Sequence, residues 1–217
     1  MNYRLSRIAA ICGGKFSGCD SEVRSVVTDS RSLSCELGCR PMFVAMRGAN
    51  HDSHDFIAGM QSRGVRAFLV ERGVEASSCT GECGFVQVDN AIEALQRLAA
   101  YHRAQFRGTV VGITGSNGKT VIKEWIAEEL PEGMKYYRSP KSYNSQLGVP
   151  LSVLMLEGDE ELAIFEAGIS KPGEMERLER IIRPDAVIFT SIGDAHQENF
   201  INLEQKCDEK MILARSA

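Results

Sequence analysis

The segment that most restricts this chain is Thr109 to Thr120, TVVGITGSNGKT. Six residues form an apolar, β-branched run, four form a glycine-rich turn, and Lys119-Thr120 open a stretch with helical spacing. A strand that turns through glycines into a helix is the context a phosphate loop requires. The glycines let several backbone N–H groups converge on phosphate oxygens, and the helix start adds partial positive charge. Lys119 can reach terminal phosphates, and the Thr120 hydroxyl can ligate Mg²⁺. Gly115, Ser116, Asn117, Gly118, Lys119 and Thr120 are therefore the candidate ATP-binding residues. The spacing departs from the common G-x-x-x-x-G-K-[ST] pattern, which needs Gly where this chain has Ile113. An ordinary glycine-rich turn is the alternative.

Around this loop the pattern is α/β. After the strand 109–114 and a helix over 119–130, the sequence predicts strands over 162–166 and 186–190, a helix over 173–182, and a last helix from about Leu203. Strands alternating with helices imply a parallel sheet with crossovers. Only about three strands of that sheet are predicted, where four to six are usual, so the expectation is a partial chain. Residues 1–106 read differently, with short strands over 23–28, 42–46, 67–70 and 85–88, a short helix over 55–61 and a closing helix over 91–106. Arg107-Gly108 follows as a hinge. The expected organisation is a small α/β domain at 1–106, then a truncated P-loop parallel-sheet domain at 107–217.

Composition narrows the function classes. The chain has 217 residues, 43% of them hydrophobic, which suits a globular protein. A net charge of -4 and a pI near 5.7 argue against a general nucleic-acid binder. No apolar run is long enough to span a membrane, and the N-terminus lacks a secretory signal pattern, so a cytoplasmic location is expected. The seven cysteines include Cys35 and Cys39, and Cys79 and Cys83, each pair four apart. Structural zinc sites usually leave two residues between paired ligands, so free thiols are expected, with a four-thiolate site as the alternative. His51, Asp52, His54 and Asp55 leave the same choice between a metal cluster and a ligand-binding loop.

Several stretches together resemble one family. Thr114-Gly115-Ser116-Asn117-Gly118-Lys119-Thr120 is similar to the T-G-[TS]-N-G-K-[TS] loop of Mur ligases. Phe165-Glu166-Ala167-Gly168 with Ser170-Lys171-Pro172-Gly173-Glu174 resembles their F-E-M-G-x-S-x-P-G-E strand end, and Ile192 to His196 their N-I-x-x-A-H segment. Ser142 to Pro150 resembles N-x-x-x-G-x-P. In the first half, Thr28-Asp29-Ser30-Arg31 resembles the D-S-R element of the uridine-binding domain. Phe43 to Gly48 followed by His54-Asp55-Phe56-Ile57 is similar to F-V-A-L-x-G…G-H-D-F-I.

The resemblance implies an ATP-dependent amide-bond ligase of peptidoglycan precursor synthesis, using Mg²⁺ and acting as a monomer. A carboxylate is activated as an acyl phosphate and then attacked by an amine. The branch implied takes UDP-N-acetylmuramoyl-tripeptide and D-alanyl-D-alanine, and the Ser142 to Gln146 version suggests the form fused to alanine racemase. Carried over residue by residue, Lys119, Glu166, His196 and Lys210 are the catalytic candidates. Thr120, Glu166 and His196 are the metal candidates, and Ser30, Arg31 and Asn144 the substrate-binding ones. Lys210, fourteen residues after His196, matches the family's carbamylated lysine, with Lys206 as rival. The family's adenine-contacting segment and amine-binding domain have no counterpart in these 217 residues, so the expectation is an inactive fragment. Competing readings are a folylpolyglutamate-type ligase, a non-catalytic UDP-sugar-peptide-binding fragment, and an unrelated P-loop switch.

Overall fold

The computed structural model describes residues 1–32, 40–48, 52–71, 82–193 and 197–217. They divide into two compact units, Met1–Leu98 and Ala99–Ala217.

The first unit starts with β1 (Tyr3–Arg4) and α1 (Leu5–Cys12), then β2 (Lys15–Gly18), β3 (Glu22–Val23), β4 (Ser25–Val27) and β5 (Pro41–Val44). After a 3-10 turn at Ser53–Phe56 come α2 (Ile57–Ser62), β6 (Ala67–Val70), β7 (Gly84–Gln87) and α3 (Ala91–Arg103). The main sheet has the order β2-β7-β6-β5-β4, with only β2 antiparallel. β6 is buried at all four residues, as expected for a central parallel strand covered on both faces. Its core contains Phe43, Phe68 and Phe85, with Phe68 stacked on Phe85 at 5.2 Å and edge-on to Phe43 at 6.4 Å.

Helix α1 buries Leu5, Ile8, Ala9 and Cys12, one stripe of helical spacing. It ends at Gly13, whose φ of 71° suits a left-handed cap. The sequence pattern predicts no element here, and α1 and the antiparallel pair β1–β3 emerge only in the structure. Two-residue strands are too short to show a period. The sequence set the domain division at residue 106, whereas the units divide within α3, after Leu98.

The second unit holds β8 (Thr109–Thr114), α4 (Lys119–Glu128), β9 (Tyr136–Arg138), α5 (Gly148–Val153), β10 (Leu162–Ala167), α6 (Glu174–Ile182), β11 (Ala186–Phe189) and α7 (Leu203–Met211). Its sheet is wholly parallel, in the order β11-β8-β10-β9. The expectation of three strands is corrected to four. β9 escaped notice because it is a three-residue edge strand with the polar composition YYR. α4 stops at Glu128, short of the expected Leu130, and Pro131 follows closely. α4 packs Ile122 and Ile126 against Ile113, Leu162 and Ile164. β10 is buried at all six residues. Alternation along it places Leu162, Ile164 and Glu166 on one face, so the apolar pattern that seats α4 also aims Glu166 at that helix. β8 and β10 end in register, Ile113 beside Glu166 and Thr114 beside Ala167. That C-terminal edge is where open α/β sheets carry their ligands.

Candidate functional site

The turn between β8 and α4 is built on backbone that only glycine tolerates. Gly115 has φ 145°, and a Cβ there would meet the Thr190 hydroxyl oxygen at 1.9 Å. Gly118 caps α4 at φ 83°. The turn is fastened to the segment after β11. The Ser116 N–H donates to the Ser191 carbonyl at 2.6 Å, the Gly193 N–H donates to the Ser116 hydroxyl at 3.0 Å, and the Thr190 hydroxyl donates to the Asn117 carbonyl at 2.6 Å. The Lys119 ammonium donates to the Gly115 carbonyl at 2.8 Å and to the Ser116 carbonyl at 3.3 Å, so it lies folded along the loop. Burial lowers its pKa, and nearby Glu166 opposes that shift.

Glu166, fully buried at the end of β10, faces the start of α4. Its Oε2 accepts from the Thr120 hydroxyl at 3.1 Å. Its Oε1 lies 2.9 Å from the Lys123 ammonium, an ion pair, yet out of line for a hydrogen bond, so among the described residues this oxygen accepts none. A buried carboxylate whose Oε2 stands beside the Thr120 hydroxyl is a hard-oxygen donor set. It suits Mg²⁺, which is commonly held by one or two carboxylates with phosphates and water completing its shell. No group of three or more His, Cys, Asp or Glu among the described residues makes a metal cage of its own.

Two further lysines approach the loop from α7. Lys210, buried, donates to the Gly115 carbonyl at 3.2 Å. Its pKa falls from the ordinary lysine value to about 8, through burial first and then the ammoniums of Lys119 and Lys206. Lys206 donates to the Gly193 carbonyl at 2.5 Å. α7 itself is held by Glu209, whose Oε1 accepts the N–H groups of Gly173 and Met175 at the start of α6, at 2.8 and 3.1 Å.

The loop and Glu166 open on a pocket of about 280 Å³, lined by Ser116 to Val121, Ser142, Asn144 and Glu166. Asn144 reaches it because the Gly168 N–H donates to the Asn144 carbonyl at 2.8 Å, seating the 139–144 loop on the end of β10. Of the residues singled out from sequence, the fold thus gathers Gly115 to Thr120, Asn144, Glu166 and Lys210. Ser30 and Arg31 lie in the first unit, on a 3-10 turn where the Arg31 guanidinium pairs with Asp29 at 2.9 Å. His196 lies outside the described residues, as do Cys35, Cys39, Cys79 and His51. His54 commits both ring nitrogens: Nδ1 is 2.5 Å from Asp52, and Nε2 accepts the Glu71 N–H at 2.9 Å. Cys12, Cys19, Cys83 and Cys207 form no disulfide.

Lys123 was missed from sequence. Its signal was available: a charge four residues before buried Ala127, on the inward stripe of α4. An interior lysine needs partners, and this one donates to the carbonyls of Ser139 at 2.7 Å and Lys141 at 2.6 Å.

Comparison with known proteins agrees with this geometry. Residues 113–217 match the Mur ligase middle domain. The UDP-N-acetylmuramoyl-tripeptide–D-alanyl-D-alanine ligase of Bacillus subtilis is 31% identical over 87% of this chain and 40% of its own length. That of Borreliella burgdorferi is 34% identical over 90% of this chain and 44% of its own. The chain therefore spans about two fifths of the length of these relatives. A crystal structure of MurF from Acinetobacter baumannii superposes on all of the chain with a TM-score of 0.87 at 27% identity, using 47% of its own length. The MurF ligase of Thermotoga maritima, solved in complex with ADP, covers 90% of this chain at 31% identity with a TM-score of 0.77, over 44% of its own length. With its parallel sheet, its glycine-rich loop and these relatives, the chain belongs to the Mur ligase family.

Proposed function

We propose that this chain supplies the UDP-sugar unit and the ATP phosphate site of a cytoplasmic ligase that joins D-alanyl-D-alanine to UDP-N-acetylmuramoyl-tripeptide. The observation that carries the reading is the convergence of residues 116–120, Asn144 and buried Glu166 on a single pocket at the carboxyl edge of a parallel sheet. Relatives similar to this chain bear the ligase name, and one was solved with ADP. The racemase fusion suggested by Ser142 to Gln146 is not part of the proposal.

The chemistry follows from charge. A carboxylate oxygen attacks the γ-phosphorus as the bond to ADP breaks. The amine nitrogen then attacks the acyl carbon as inorganic phosphate leaves, and the amine proton passes to solvent. Both first reactants are anionic, so the protein's work is positioning and neutralisation. The N–H groups of residues 115–120 and the helix start hold phosphate oxygens. Lys119 swings from its loop carbonyls to the terminal phosphates. Thr120 and Glu166 would hold Mg²⁺, which when bound supplies neutralisation of the phosphate charge. Lys210 is the candidate for carbamylation, in which a neutral amine adds CO₂ and releases a proton. A lysine that titrates near 8 is roughly one tenth neutral at pH 7, which favours that addition. Ser30 and Arg31 are the candidates for the uridine side.

In the intact ligase, Lys119→Ala or Glu166→Ala is expected to lower dipeptide-dependent phosphate release by at least a hundredfold, measured by a coupled phosphate assay. Full activity of the Glu166 variant would overturn the metal assignment, and full activity of the Lys119 variant would overturn the loop assignment.

A further inference from the structure

Lys123 has a place in the site that the phosphate loop does not explain. Its side chain is completely buried, and its ammonium meets three oxygens belonging to two different segments. Two are the carbonyls of Ser139 and Lys141, at 2.7 and 2.6 Å. The third is Glu166 Oε1 at 2.9 Å. Glu124 also approaches, at 3.4 Å from the rim. The Ser139–Lys141 backbone leads directly into Ser142 and Asn144, which line the pocket, and Lys141 holds φ 49°, a left-handed conformation costly for a residue with a Cβ. The two Lys123 contacts join the Ser139 N–H, which donates to the Ile164 carbonyl at 2.9 Å, in holding that stretch of chain.

We infer that Lys123 is a positioning residue that couples the metal-bearing carboxylate to the 139–144 loop. By drawing Oε1 towards itself it leaves Glu166 Oε2 on the Thr120 side of the pocket, and by gripping two carbonyls it sets where Ser142 and Asn144 stand. Fixing Glu166 therefore fixes the ammonium, and a fixed ammonium orders the loop. The coupling is reciprocal: whatever orders the loop strengthens the carboxylate's hold on its cation. The inference rests on reading the pocket as a Mg²⁺–nucleotide phosphate site.

The test compares binding of a non-hydrolysable ATP analogue with and without Mg²⁺, by calorimetry on the intact protein and on Lys123→Met. The variant is expected to bind the metal-free analogue within threefold of wild type. The strengthening that Mg²⁺ confers should fall at least tenfold. A lysine that only stabilised the fold would lower the melting temperature and leave the Mg²⁺ effect unchanged in the folded variant, and that result would overturn the inference. Lys123→Gln, which keeps a donor for one carbonyl, serves the same comparison if the methionine variant does not fold. The wild type gives an independent readout. Adding Mg²⁺ to the analogue-bound protein should slow hydrogen exchange at the amides of Ser139 and Gly168, and an absence of added protection there would sink the coupling. Failure of the underlying reading looks different: wild type would then bind no analogue, or bind it equally well after Lys119→Ala.

Discussion

At the scale of single residues, the site is defined by charges held out of water. Lys210 is the clearest case. Its ammonium has the Gly115 carbonyl at 3.2 Å, while Lys119 and Lys206 stand close enough to repel it. Its folded-state pKa of about 8 lies below the value it regains on unfolding. Above about pH 8 the unfolded chain therefore binds more protons than the folded one, and this residue makes stability rise with pH up to the ordinary lysine value. Below pH 8 the buried ammonium is a constant penalty. Lys210→Met should be more stable than wild type at pH 7, and the advantage should shrink as pH rises towards 10, read from urea midpoints. An advantage that is the same at every pH would mean that the ammonium bears no burial cost.

At the scale of elements, α7 shows how a polar helix is placed without a broad apolar face. Its buried residues are Lys206 and Lys210, which point at the loop and its neighbour segment. Polar contacts help to set its register, alongside Leu213, fully buried in the turn that follows. Glu209 makes two such contacts by capping α6 from outside, accepting two N–H groups that the helix start would otherwise leave unmet. A carboxylate there is also favoured by the helix dipole. Glu209→Ala should cost about 0.5–2 kcal/mol, as losses of caps do, and should speed thiol labelling of half-buried Cys207 on the same helix. An unchanged labelling rate would show that α7 is held by something else.

At the scale of the whole molecule, the two units carry separable candidates: Ser30 and Arg31 in the first, residues 115–120 and Glu166 in the second. If the proposed division of labour holds, Lys119→Ala should weaken binding of the ATP analogue at least tenfold and leave binding of UDP-N-acetylmuramoyl-tripeptide within threefold, both by calorimetry. Equal losses for both ligands would place them in one site and overturn the division.

Local chemistry is legible along the chain before any folding. TVVGITGSNGKT specifies strand, turn and helix because β-branched residues, glycines and a helix start act over neighbouring residues, and Glu166 was legible as the end of an apolar run. Strands of two or three residues such as β1, β3 and β9 were not, since they exist only through partners far along the chain. Tertiary structure alone decided that Lys123 would bridge Ser139, Lys141 and Glu166, that Glu209 would cap α6, and that Lys210 would lie against Gly115 with its pKa lowered. The reason is physical. A charged side chain declares its type in sequence, but its energy depends on which carbonyls, carboxylates and ammoniums surround it once water is gone, and those come from segments that only folding brings together.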